Sequence, residues 1–125
     1  VLKITIVKLK MRIEVSKGEL IDKITILEIK SERVKDELKL KNIRHELEVL
    51  VKYEFDTPHK NDLKVVNNKL WDLEDGIRKH EKENDFGEEF IEKARNIYKC
   101  NDERCRIKKV INIEHGSDIV EEKSY

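Results

Sequence analysis

The chain is short of residues that interrupt a helix. One proline and four glycines stand among 125 residues, so the backbone has few obligatory breaks and few positions that take a positive φ freely. Two cysteines, Cys100 and Cys105, are too few for the disulfide framework that replaces a core in small secreted domains, and they read as reduced thiols. Those two with the single His115 do not complete the four ligands of a structural zinc site, so no metal and no cofactor is expected. No apolar run approaches the roughly 20 residues that a membrane-spanning helix needs, and the start lacks the apolar stretch and small-residue cleavage site of a secretory signal. Net charge is zero, with 27 basic and 27 acidic residues. That balance removes the single-sign field that attracts nucleic acid or an anionic membrane; one local basic patch, Lys108-Lys109 beside Arg104 and Arg106, is the exception. Together these absences predict one cytoplasmic domain over residues 1–125, with neither nucleic acid nor membrane as partner.

What the chain does have is charge in helical register. Charged residues make up 43% and aromatics 6%, the balance of long solvated helices with narrow apolar stripes. Acid precedes base by four residues at Glu19–Lys23, Glu37–Lys41, Glu74–Arg78, Asp75–Lys79 and Glu89–Lys93, the favourable order on a helix surface. Ser16-Lys17-Gly18-Glu19 matches a capping box and predicts a helix over 17–34, with Leu20, Ile24, Leu27 and Val34 on one stripe. Asp36 caps a second helix bearing Leu40, Ile43, Leu47 and Leu50, which ends before Pro58 because the residue before proline is pushed out of the α region. A third is predicted over 61–83, with Leu63, Val66, Leu70, Leu73, Ile77 and His80 in line. After the turn at residues 84–87, Phe90, Ala94 and Ile97 mark a fourth helix; Asn101-Asp102 reads as the cap of a fifth, with Ile107, Val110 and Ile111 buried.

Two peripheral features complete the reading. Val7, Leu9, Met11, Ile13 and Val15 alternate with polar residues, the period of a half-buried strand; residues 1–10, ahead of the single methionine, read as an upstream extension. Gly116 suits a left-handed helix C-cap, and the tail 117–125 is expected to dock through Ile119-Val120, helped by pairing with the N-terminal strand or by salt links from Glu121, Glu122 and Lys123. The fold expected is mainly α: long antiparallel helices forming a helical bundle, with one or two short peripheral β-strands.

Chemical motifs are scarce. Glu19-x-x-Asp22, Glu28-x-x-x-Glu32 and Asp72-x-x-Asp75 place carboxylates on one helix face, as metal-dependent helical enzymes do, yet the same spacing recurs wherever the chain is charged. His45-Glu46 opens the zinc-protease helix motif, but Val49 stands where the second histidine belongs. Glycine-rich phosphate loops are absent. The residues that would line a ligand site are Asp22, Lys23, Glu28, Trp71, Asp75 and Arg78, with Trp71 the natural aromatic anchor; no catalytic residue is identified, and His80 on its stripe reads as a hydrogen-bonded core histidine.

The run Val15-Ser16-Lys17-Gly18-Glu19-Leu20-Ile21-Asp22-Lys23, continuing to Lys30, and the closing Gly116-Ser117-Asp118-Ile119-Val120-Glu121-Glu122-Lys123-Ser124-Tyr125 resemble a family of small uncharacterised proteins from bacteria and their phages. The likeness runs from about Met11 and includes Leu70-Trp71-Asp72-Leu73-Glu74-Asp75. It implies weight for Gly18, Asp22, Lys23 and the tail, and carries no activity with it. The function expected is that of a non-enzymatic helical interaction or accessory protein that forms a homodimer through leftover apolar stripe. The alternative is a metal- or anion-dependent enzyme or ligand-binding protein using carboxylates and bases inside the bundle, on a phosphorylated or anionic metabolite.

Overall fold

A computed structural model describes residues 9–124, in which four helices follow one another: α1 (Lys17–Arg33), α2 (Glu37–Val51), α3 (Lys60–Lys82) and α4 (Glu88–Glu114). The helix starts are chemically marked. Ser16 Oγ accepts from the Glu19 amide at 3.1 Å, and Asp36 accepts from the amides of Leu38 and Lys39 at 2.9 and 3.2 Å, satisfying donors that a first turn leaves unpaired. Only half of the expected capping box forms, because the Glu19 carboxylate reaches Lys108 instead.

Two helix ends use left-handed residues. Asn84 takes φ 52° after α3, and the Asp85 amide closes on the His80 carbonyl at 2.9 Å. Gly116 takes φ 61° after α4, as its position predicted, and the Ser117 amide closes on the Asn112 carbonyl at 2.8 Å. Both are Schellman-type closures.

α1, α3 and α4 form the body. Ile21, Leu63, Ile107 and Ile111 are buried together, with Phe55 and Val66 against them; each fully buried aliphatic contributes roughly 1.5–3 kcal/mol. α1 and α4 cross closely at Gly18, where a Cβ would stand 2.4 Å from the Lys108 carbonyl oxygen and the Gly18 amide donates to Asn112 Oδ1 at 2.6 Å. Any side chain here would have to push α4 away. α2 packs on α1 alone, so the helices do not close into a four-helix bundle.

α1 is consequently buried on two faces. The predicted stripe of Leu20, Ile24, Leu27 and Val34 is one of them, with Ile24 and Leu27 buried. Rotated away from it by helical geometry, Gly18, Ile21, Asp22, Thr25 and Ile29 are also buried, and this second stripe meets α3 and α4. A four–three pattern finds one seam and overlooks the second when both faces are covered.

Three expectations are corrected. Residues 9–15 form no strand; Leu9 and Met11 are 92% and 91% exposed. Alternation describes half of a strand pair, and among the described residues no second strand offers its backbone; Val7 lies outside them. The predicted fourth and fifth helices are one, α4, of 27 residues. Asn101-Asp102 brings neither glycine nor proline, and Asn101 and Arg104 sit at three- and four-residue steps between Ile97 and Ile107, continuing the inner stripe in polar form. A lone helix seam was also expected for α2, but only Leu40 on it is buried.

The far end of the α3–α4 hairpin holds His80, buried at 7% exposure. Its Nε2 lies 2.8 Å from the Lys93 ammonium and accepts from it, while Nδ1 lies 3.3 Å from Asp85 without hydrogen-bond geometry. Phe90 meets its ring edge-on, and Phe86 meets Phe90 in the same way. Cys100 and Cys105 are half-buried free thiols.

Candidate functional site

The polar residues of the inner stripes meet at one level of the body. Asp22 is fully buried on α1. Arg104 of α4 grips it with two donors, Nε to Oδ1 at 2.9 Å and Nη2 to Oδ2. Asn67 of α3 donates to Asp22 Oδ1 at 2.9 Å and to Thr25 Oγ1 at 3.0 Å, and Thr25 Oγ1 donates to the Asp22 carbonyl at 2.8 Å. The hydrogen bond with Asp22 raises the Arg104 pKa above the ordinary guanidinium value, against the opposing effect of burial. Desolvating such a pair costs several kcal/mol per ion before the attraction offsets it, and a hydrophobic trio of similar size would have packed more simply.

Arg104 and Asn67 are also the polar floor of a cleft between α1, α3 and α4. It encloses about 570 Å³, within the usual range for small-molecule sites. Ile26, Ile29 and Leu70 supply apolar wall, Trp71 an aromatic one, and Lys30, Glu74, Asp75, Arg78 and Asn101 the rim. Trp71 is held from outside: the Arg33 guanidinium lies 5.7 Å from its ring centroid and is itself tied to Asp72 at 2.6 Å and Asn68 at 3.1 Å. Arg78 lies 3.5 Å from Glu74.

Of the six residues singled out from the sequence, Trp71, Asp75 and Arg78 line this cleft, and Asp22 lies behind it through Arg104. Lys23 is exposed and pairs loosely with Glu19 at 3.7 Å. Glu28 faces elsewhere, taking Lys60 at 3.0 Å and Lys64 at 3.7 Å. Arg104, Asn67 and Asn101 were missed as site residues. Their signal was present: each is a polar residue on an otherwise apolar stripe, a pattern that a core tolerates only when it is matched.

Of the carboxylates in the pairs that resembled metal sites, all but Asp75 are matched by cations among the described residues. Glu19 takes Lys108 at 2.6 Å beside the Asp22–Arg104 pair, Glu32 takes Lys64 at 2.8 Å, and Asp72 takes Arg33. Burial works against the charge on Lys108, but Glu19, then Asp22 and Glu121, outweigh it and leave its pKa above the ordinary lysine value.

A second groove, of about 500 Å³, runs between α4 and residues 121–123. Its charges are spent on one another. Lys108 pairs with Glu121 at 3.2 Å, Lys109 with Glu122 at 2.9 Å, Lys123 with Asp102 at 2.6 Å, and Arg106 with Glu103 at 2.6 Å. Glu121 also accepts from Ser16 Oγ at 2.5 Å, and Ser117 Oγ accepts from the Lys17 amide at 3.2 Å. These contacts connect the chain beyond Gly116 to the start of α1, where no strand pairing exists among the described residues.

Among the described residues no helix is long and apolar enough to cross a membrane. Residues 11–125 match DUF6165, a family of unknown function. No curated protein and no solved structure matches the chain.

Proposed function

Since the chain belongs to the DUF6165 family, which brings no assigned activity, we propose from its own geometry that it is a non-enzymatic binding protein whose cleft between α1, α3 and α4 holds a small organic ligand. One observation carries this reading: a buried carboxylate, Asp22, is committed to fixing Arg104 on the cleft wall. Structural economy does not call for a buried ion pair beside an open cleft, whereas recognition gains from a donor held in one rotamer. Catalysis has less support. Arginine stays protonated near neutral pH and serves as neither acid nor base, Asp22 is sealed from the cleft, and no histidine or cysteine lines it.

Trp71 is the single tryptophan, so its indole N–H resonance reports occupancy of the cleft without ambiguity. Screening a fragment collection by that resonance should yield ligands that move it to saturation and raise the melting temperature by mass action. Fragments that perturb only the groove at 121–123, or none at all, would refute the reading.

Self-association is a second reading, favoured by α2. This helix leaves Leu38, Val49 and Val51 exposed, with Tyr53 just beyond its end, and Ile43, Leu47 and Leu50 only partly covered. After the Glu37 that opens it, its exposed charges run Lys39, Lys41, Arg44 and then Glu46, Glu48, a basic stretch before an acidic one. In an antiparallel two-fold pair of α2 helices each basic half would face the partner's acidic half. Light scattering showing a monomer at micromolar concentration would end this reading.

A further inference from the structure

A guanidinium presents two edges on which parallel N–H groups match the two oxygens of a carboxylate, one formed by Nε and Nη2 and the other by Nη1 and Nη2. Asp22 takes the first edge with both of its oxygens. The second edge has no partner among the described residues, and the Arg104 side chain is 28% exposed on the wall of the cleft. We infer that this free edge is the receptor for the carboxylate of an apolar or aromatic monocarboxylic acid, its hydrocarbon body lying along Trp71, Ile26, Ile29 and Leu70. The inference rests on the binding function proposed above and names the ligand class for it.

Charge and hydrogen-bond capacity support a monocarboxylate over other anions. The cations of the lining, Lys30, Arg78 and Arg104, are matched in number by Glu74, Asp75 and the Asp22 behind Arg104. Among anions, one of charge minus one disturbs that balance least, and a phosphate monoester dianion would face Glu74 and Asp75 with no surplus of positive charge. The planar two-oxygen head also fits a single free edge, which a tetrahedral phosphate does not require. Lys30 and Asn101 make no side-chain hydrogen bond or ion pair among the described residues, so their donors are available beside Arg104. In the second groove Arg106 pairs side-on with Glu103 in the same way, but its side chain is 62% exposed and no aliphatic or aromatic residue lines that groove to take a hydrocarbon body. Asp22 is a positioning residue in this scheme: it fixes the plane of the guanidinium and never touches the ligand.

The test titrates the full chain with phenylacetate, phenylacetamide and phenyl phosphate, following the Trp71 indole N–H and the Arg104 side-chain N–H resonances by NMR. Phenylacetate should saturate both signals, with phenylacetamide and phenyl phosphate each at least tenfold weaker. Arg104→Lys keeps a cation beside Asp22 but loses the second planar edge, and should weaken phenylacetate about tenfold while leaving phenylacetamide unchanged. Should that variant fail to fold, the probe series on the unaltered chain still decides. Equal binding of phenylacetate and phenylacetamide, or tighter binding of phenyl phosphate, would overturn the carboxylate assignment and leave the binding function standing. A Trp71 resonance that no probe moves, in a chain that also yields no fragment binder, would overturn both.

Discussion

α1 and α2 are neighbours of almost equal length, 17 and 15 residues, and similar aliphatic content, yet they live in different environments. α1 buries Gly18, Ile21, Asp22, Ile24, Thr25, Leu27 and Ile29, while α2 buries Leu40 alone. Hydrophobicity does not separate them; the number of covering neighbours does. α1 is wedged between α2 on one side and the α3–α4 pair on the other, and α2 has α1 only. A polar residue is therefore expensive on α1 unless matched, and Asp22 and Thr25 are matched. On α2 the same residue types would simply meet water. The comparison locates the functional candidate on the constrained helix and the candidate self-association surface on the loose one.

The sharpest way to break the comparison is to unmatch the buried pair. Asp22→Ala leaves Arg104 without its counter-ion and should cost about 3–5 kcal/mol, measured by chemical denaturation. A loss under 1 kcal/mol would mean that the pair is as solvated as a surface bridge and that α1 is no more constrained than α2.

Next in size is the α1–α4 crossing. Gly18→Ala places a Cβ against the Lys108 carbonyl, a backbone atom that cannot swing aside, and should cost about 1–3 kcal/mol by overpacking. Helix propensity alone predicts the opposite sign, since alanine is favoured over glycine in a helix by about 1 kcal/mol. A stabilised variant would show that the helices separate without strain.

A substitution on α2 should be milder. Leu47→Ala, on a half-covered position, is expected to cost about 1 kcal/mol or less at low protein concentration. If α2 pairs with a second copy, the loss grows as concentration rises, because association stabilises only the unmodified chain. Melting temperatures across a dilution series separate the two cases.

The smallest effect concerns the segment beyond Gly116. Hydrogen bonding from Ser16, and then the Lys108 ammonium, holds the Glu121 pKa below its ordinary 4.5. A carboxyl whose folded pKa is depressed adds stability above its unfolded pKa and loses it as pH falls through the folded value. Glu121→Gln should thus be slightly less stable near neutrality, where the carboxylate is charged, and show a flatter acid limb below about 4.5, where the two proteins converge. Its half-exposed side chain keeps the effect small through solvent screening. Identical acid limbs for the two proteins would show that Glu121 is not held in the folded state.

The helices and their caps were legible in the sequence because they depend on neighbours along the chain. Ser16 and Asp36 at helix starts and Gly116 after α4 act within a turn or two, and local backbone chemistry is written locally, whereas α2 stops at Val51, six residues short of the Thr57 that Pro58 keeps out of the α region. Part of the lining of the candidate cleft was legible in the same way, since Trp71, Asp75 and Arg78 share one face of α3 at helical spacing. What only the tertiary structure decided was which neighbours those faces met. Whether Ile13 found a partner strand, whether α1 had one covered face or two, and whether Arg104 ended in solvent or beside Asp22, 82 positions away in the chain, all turn on contacts between distant segments. Periodicity gives each helix a direction to bury but does not say how many helices will lie in that direction. Polar residues on those stripes are ambiguous until their surroundings are known: Asn101 and Asp102 read as a helix cap by composition, yet the helical ladder of α4 runs through them unbroken and Asn101 lines the cleft.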